Sequence, residues 1–144
     1  MEISTYIFWG IALLLVFAPI TASPELDTLL ASNTSVIVDF YADWCPPCRA
    51  IAPVFSQLAD EYAVTGHVAF AKVNVDNVKD VAAKYGVSAM PTFVVFRNGK
   101  PGGVAVDGLQ GRTSVNTGAD GAVERVLGAD RVALEAIVKA VASK

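Results

Sequence analysis

The sequence predicts an α/β domain with a central mixed β-sheet and helices on both of its faces. Two observations carry that expectation. Short, nearly continuous apolar runs recur at 36–41, 68–75 and 92–97, as strands covered on both sides require. Between successive runs lie segments with apolar residues at helical spacing, and a further strand-like run and an amphipathic segment close the chain.

No charged residue occurs from Ile3 to Pro24, and the stretch from Ile7 to Ala18 is almost wholly apolar. Residues 1–16 are read as an apolar N-terminal extension, a possible signal or membrane segment, and 17–144 as the domain. A run of this length is ambiguous between core, interfacial segment and signal core. A secretory signal normally has Lys or Arg ahead of the apolar stretch. Here only the chain's own amine stands there, opposed by Glu2, although Ala22 would serve as a cleavage-site residue.

Ser23-Pro24-Glu25-Leu26 predicts a helix start, with Ser23 as N-cap and Pro24 at the first helical position, running to about Ser32. Asn33-Thr34-Ser35 breaks it, and Val36 to Tyr41 is the central strand. From Cys45 to about Val64, Ile51, Val54, Phe55, Leu58 and Tyr62 mark a helix that Pro53 is expected to kink. Val68 to Val75 is a strand, Val78 to Tyr85 a helix ended by Gly86, and Thr92 to Arg97 a strand closed by the turn Asn98-Gly99. Near the end, Ala122 to Leu127 reads as a strand. Asp130 to Val141 reads as a helix whose apolar face carries Val132, Ile137, Val138 and Val141. The glycine-rich stretch at about 101–121 breaks the rhythm and is expected to be a mobile surface insertion between two strands.

With 144 residues, 53% of them apolar, the chain suffices for one compact core. A net charge of -3 with scattered Lys and Arg provides no basic field, which argues against a nucleic acid partner. The 2 cysteines, three positions apart, are too few for a disulfide scaffold. They begin a helix directly after a strand. Free backbone N–H groups at a helix N-terminus favour the thiolate that attacks disulfides, and this spacing brings the second thiol within reach. Cys45 is therefore the candidate nucleophile and Cys48 the resolver. Pro46 and Pro47 occupy first-turn positions where a missing N–H breaks no helical bond, but they remove two donors to the thiolate. A less acidic thiol than a Cys-Gly-Pro-Cys loop gives is expected. The alternative for an isolated C-x-x-C is half of a zinc site. That would need further ligands, and the chain has 1 histidine, His67, read as a solvated turn residue. No metal and no bound cofactor are expected.

The segments from Val36 to Cys45, Ala50 to Phe55, Met90 to Phe93 and Asn98 to Lys100 together resemble the thioredoxin family, over roughly 17–100 and 122–144. The resemblance implies a thioredoxin fold and a protein-disulfide reductase with no bound cofactor. Such a protein would be expected to act as a monomer on disulfide-containing proteins and to be restored by a thioredoxin-reductase-type reductant. It implies that Asp39 is the buried acid beneath the dithiol, that Lys72 is its partner and that Pro91 is a cis-proline beside Met90. Trp44, Pro46, Pro47, Val75, Ala89, Met90 and Gly128 would form the substrate-binding collar. The loop Trp44-Cys45-Pro46-Pro47-Cys48-Arg49 is instead similar to that of tryparedoxins and nucleoredoxins.

Phe17 to Thr21 aligns with the family's first strand, so cleavage at Ala22 would remove it, and a retained segment is preferred. The expected compartment is the cytoplasm; a membrane-anchored or secretory-pathway oxidant or isomerase is the alternative. A binding module that uses the surface without the thiols is a third reading. Asn33-Thr34-Ser35 would be a glycosylation sequon only in a lumen, and an ordinary loop is preferred.

Overall fold

The computed structural model describes residues 17–144, so the apolar run up to Val16 lies outside the described residues. In chain order the elements are β1 (Phe17–Ile20), α1 (Ser23–Ser32), β2 (Ser35–Tyr41), α2 (Pro46–Tyr62), β3 (Val68–Asn74) and α3 (Lys79–Lys84). There follow β4 (Thr92–Arg97), β5 (Lys100–Pro101), β6 (Val115–Thr117), β7 (Val123–Leu127) and α4 (Arg131–Ala142). The sheet runs β1-β3-β2-β4-β7-β6, with β5 paired to β4. β1 and β2 lie parallel to β3, whereas β4 is antiparallel to β2 and to β7. This is the mixed sheet with helices on both faces that the sequence predicts.

Alternation along the strands divides the core. Ile37, Phe70, Phe93, Val95 and Val126 pack with Ile51, Phe55 and Leu58 of α2 and with Leu134, Ile137 and Val138 of α4. Val36, Val38, Phe40, Ala71, Val73 and Phe96 pack on the other face with Leu26, Leu29 and Leu30 of α1 and with Val81 of α3. Asp39 and Tyr41 share the odd positions of β2 with Ile37, and Lys72 shares the parity of Phe70. The sheet thus turns all three toward the face that α2 covers.

Several expectations change in detail. The N-cap of α1 is Ala22 with no side-chain hydrogen bond, so Ser23 is already inside the helix and Pro24 lies in its first turn. Thr21 instead closes that end, its N–H and hydroxyl both donating to the Glu25 carboxylate. α2 continues through Pro53 as one element. Val132 is 61% exposed, because the inward stripe of α4 is Ala133, Leu134, Ile137, Val138 and Val141. Asn33 is buried as the C-cap of α1. Its side-chain nitrogen donates to the Leu29 carbonyl at 3.0 Å and its oxygen accepts from Gly66 N–H at 3.1 Å, so the sequon amide is committed to the fold.

The glycine-rich stretch departs most from expectation. It is anchored at several points rather than being a free surface loop. Val104 forms a bridge with Val123, and Val104 and Leu109 are buried in the core beneath α2 and α4. β6 then adds a strand to the outer edge of β7. A Cβ on Gly103 would sit 2.6 Å from the Cβ of Ala122, so the two limbs of the stretch meet at a point where only glycine fits.

Candidate active site

The dithiol sits where β2 gives way to α2. Cys45 is the N-cap of α2, with extended backbone angles, and Pro46 and Pro47 follow in the first turn. The Cys45 sulfur accepts from the Cys48 N–H at 3.2 Å, so the first free backbone donor of the helix points at the candidate nucleophile. Cys45 and Cys48 are joined as a disulfide with their Cα atoms 5.3 Å apart, and both are buried. The prolines are exposed beside them. Among the described residues no group of three His, Cys, Asp or Glu side chains gathers as a metal site, and His67 lies in an exposed turn.

A second segment closes on the pair from β4. The Met90-Pro91 peptide bond is cis, and the Met90 carbonyl oxygen lies 3.6 Å from the Cys45 sulfur. Thr92 hydroxyl donates to the Ala89 carbonyl, which fixes the turn into β4. Gly128, at φ +87 where glycine carries no Cβ penalty, donates its N–H to the Pro91 carbonyl at 2.7 Å. Val75 N–H donates to the Tyr41 carbonyl, and Val75 and Met90 pack against the apolar cluster of Ala42, Cys45 and Cys48. Trp44 is 64% exposed, and its indole N–H donates to Asp76 at 2.9 Å. The structure therefore brings Trp44, Val75, Met90, Pro91 and Gly128 around the dithiol, with Ala89 exposed at the rim.

In β2, which leads to the dithiol, Asp39 is 1% exposed, and among the described residues its Oδ1 has no hydrogen-bond donor. Burial pushes its carboxyl up to about 7, against the opposing pull of the Lys72 ammonium. Asp39 and Lys72 face each other in the β2–β3 register, yet the Lys72 ammonium lies over the Tyr41 ring, 4.6 Å from its centroid. A pocket of about 200 Å³ lined by Tyr41, Ala42, Asp43, Cys48, Arg49, Ala52 and Lys72 connects that ammonium with the Cys48 side of the disulfide. Asp39 itself is not among the residues that line this pocket, and a carboxyl raised to about 7 is suited by its value to exchanging a proton near neutral pH.

Sequence reasoning missed three contributors. Tyr41 appeared only as a strand residue, although an aromatic two positions after Asp39 lies on the same face. Asp76 orients Trp44 from the β3–α3 turn. Arg49 Nη1 donates back to the Asp43 carbonyl at 2.8 Å and ties the first turn of α2 to the preceding loop.

Residues 19–118 match the family model Thioredoxin. A Fusarium culmorum protein described as thioredoxin-like is 54% identical over 110 residues, covering 76% of this chain and 84% of the relative. A Neurospora crassa thioredoxin is 52% identical over 89 residues, covering 62% and 68%. Among solved structures, Plasmodium falciparum thioredoxin superposes with a TM-score of 0.64 at 34% identity, over 85% of this chain and 96% of that one. A Schistosoma mansoni thioredoxin gives 0.64 at 32% identity, over 88% and 95%. The family model ends within the glycine-rich stretch, so β7 and α4 lie beyond it.

Proposed function

The chain belongs to the thioredoxin family of thiol–disulfide oxidoreductases, and from that premise we propose that it is a protein-disulfide reductase. The observation that carries this reading is the Cys45 sulfur at the N-cap of α2, facing the Cys48 N–H and the Met90 carbonyl. In the reduced protein the helix N-terminus stabilises a Cys45 thiolate, which attacks one sulfur of a target disulfide. A mixed disulfide forms and the other target sulfur leaves as a thiolate, which takes a proton from solvent. Cys48 then attacks the Cys45 sulfur, giving up its proton to Asp39 as it does so. The target is released fully reduced, and the chain is left with the Cys45–Cys48 disulfide. A thioredoxin-reductase-type partner supplies the two electrons that restore the dithiol.

Lys72 supports the charged form of Asp39. Pro91 keeps the backbone at Met90 open for pairing with an extended substrate segment, while Trp44, Pro46, Pro47, Val75, Ala89 and Gly128 supply the surrounding collar. A chain whose 2 cysteines are both in the working pair suits a reducing compartment, and the cytoplasm is the proposed location. Among the described residues no helix is long and apolar enough to cross a membrane.

Insulin-disulfide reduction tests the assignment. Cys45→Ser is expected to abolish turnover. Cys48→Ser is expected to halt at a mixed disulfide that is trapped on non-reducing gels. Wild-type turnover by Cys45→Ser would overturn the mechanism.

A further inference from the structure

We propose that the glycine-rich stretch is a specificity-determining part of the dithiol site, in which Arg112 and Ser114 fix the Gly128–Asp130 wall against which a protein disulfide docks. This rests on the reductase reading above. The connection is short and continuous. The Ser114 carbonyl accepts from Leu127 N–H at 2.7 Å, and the next residue, Gly128, donates to Pro91. Two residues further on, the Asp130 carboxylate takes a bidentate pair from Arg112 Nε and Nη2, both at 2.9 Å. It also accepts from the Ser114 hydroxyl at 2.5 Å and from Ala133 N–H at 3.1 Å. The wall is therefore pinned by Pro91 on the dithiol side and by the stretch on the other.

The stretch is itself held from behind, because Val104 and Leu109 are rooted in the core. A small disulfide needs to reach only the Cys45 sulfur. A folded or extended polypeptide must in addition pair beside Met90 and rest against Gly128, so it depends on a wall already in place. Loosening the wall should then raise KM for protein disulfides while the reaction with small ones continues. Arg112 and Ser114 are positioning residues in this scheme; neither touches the reacting sulfurs.

Kinetics on reduced Arg112→Ala, Ser114→Ala and Asp130→Asn test the proposal, with insulin as the protein disulfide and dithiobis-nitrobenzoate as the small one. The expected result for Arg112→Ala and Asp130→Asn is a KM for insulin raised about fivefold, with kcat and the small-disulfide rate at wild-type values. Ser114→Ala should show a smaller rise. Arg112→Lys should recover part of the loss, since a lysine replaces the charge but not the bidentate geometry. An unchanged KM in all variants overturns the proposal. An equal fall in both rates also overturns it, because that marks general loss of structure. Should the wild-type protein not reduce insulin at all, the reductase reading fails instead. Amide hydrogen exchange at Leu127 and Gly128 then decides: faster exchange in Arg112→Ala supports the clamp, and unchanged exchange overturns it.

Discussion

Two aspartates border the dithiol region and are held in opposite ways. Asp39, in the middle of β2, is buried, with no hydrogen-bond donor to Oδ1 among the described residues. Asp130, at the N-cap of α4, collects donors from Arg112, Ser114 and Ala133. Burial drives the first carboxyl up to about 7, whereas the Arg112 guanidinium holds the second well below the ordinary carboxylate range. The same side chain is thus a proton-exchanging group in one region and a permanent anion that organises a loop in the other. The difference comes from the donors that each backbone position leaves within reach.

Removing Asp39 should break the comparison most visibly. Its folded value of about 7 lies above the ordinary 3.8, so the folded state binds a proton that the unfolded chain has lost. The contribution of Asp39 to stability is accordingly at its most favourable below about pH 4, declines as pH rises towards 7, and stays at the lower level above that. Three pKa units correspond to a deficit on the order of 4 kcal/mol. Asp39→Asn in the disulfide form is therefore expected to raise unfolding free energy by about 2–4 kcal/mol at pH 8, and by little at pH 4. Urea titrations at the two pH values measure this. The same variant should reduce insulin more slowly at neutral pH, through loss of the acceptor for the Cys48 proton.

Asp130 should respond in the reverse sense. Its lowered value means that its contribution is present above the ordinary carboxylate range and is lost as pH falls through the folded value. Asp130→Ala removes both the helix cap and the Arg112 pair, and a loss of about 2 kcal/mol at pH 7 is expected. Asp130→Asn keeps an oxygen that accepts from Ala133 N–H, so a loss of about 1 kcal/mol or less is expected. Chemical denaturation of the two variants separates cap from pair. Equal losses would show that the cap adds nothing to the fold, and an Asp130→Asn variant as stable as the wild type would show the same of the Arg112 pair.

How far these features were legible in the sequence follows from how local they are. Strands β2, β3 and β4 are short apolar runs, and the dithiol, Asp39 and Met90-Pro91 form an ordered set that the resemblance interprets. Asp39 and Lys72 meet because two such strands pair in register. Asp130 was readable only as a helix start, since its partner Arg112 lies 18 residues earlier in a stretch with no periodicity. Leu109 was hidden for the same reason: a single leucine among glycines carries no pattern, and its burial depends on where the chain returns to β7. Val132 illustrates the opposite error. Its apolar side chain matches the helical pattern, but it lies one position, about 100° around the helix, before Ala133 where the buried stripe begins.

The finest test of the Asp39 region concerns Lys72. Its ammonium lowers the Asp39 value by charge alone, because its nearest described partner is the Tyr41 ring rather than the carboxylate. Lys72→Met keeps the length of the side chain and removes the charge. The Asp39 midpoint should then move further upward, and a carboxyl-carbon NMR titration of the disulfide form reads that movement directly. Loss of the contact with Tyr41 is expected to change stability by only about 0.5–1 kcal/mol. An unmoved midpoint would mean that burial alone sets Asp39. Tyr41 would then be only a packing residue, and holding the ammonium away from the acid would have no consequence for proton exchange.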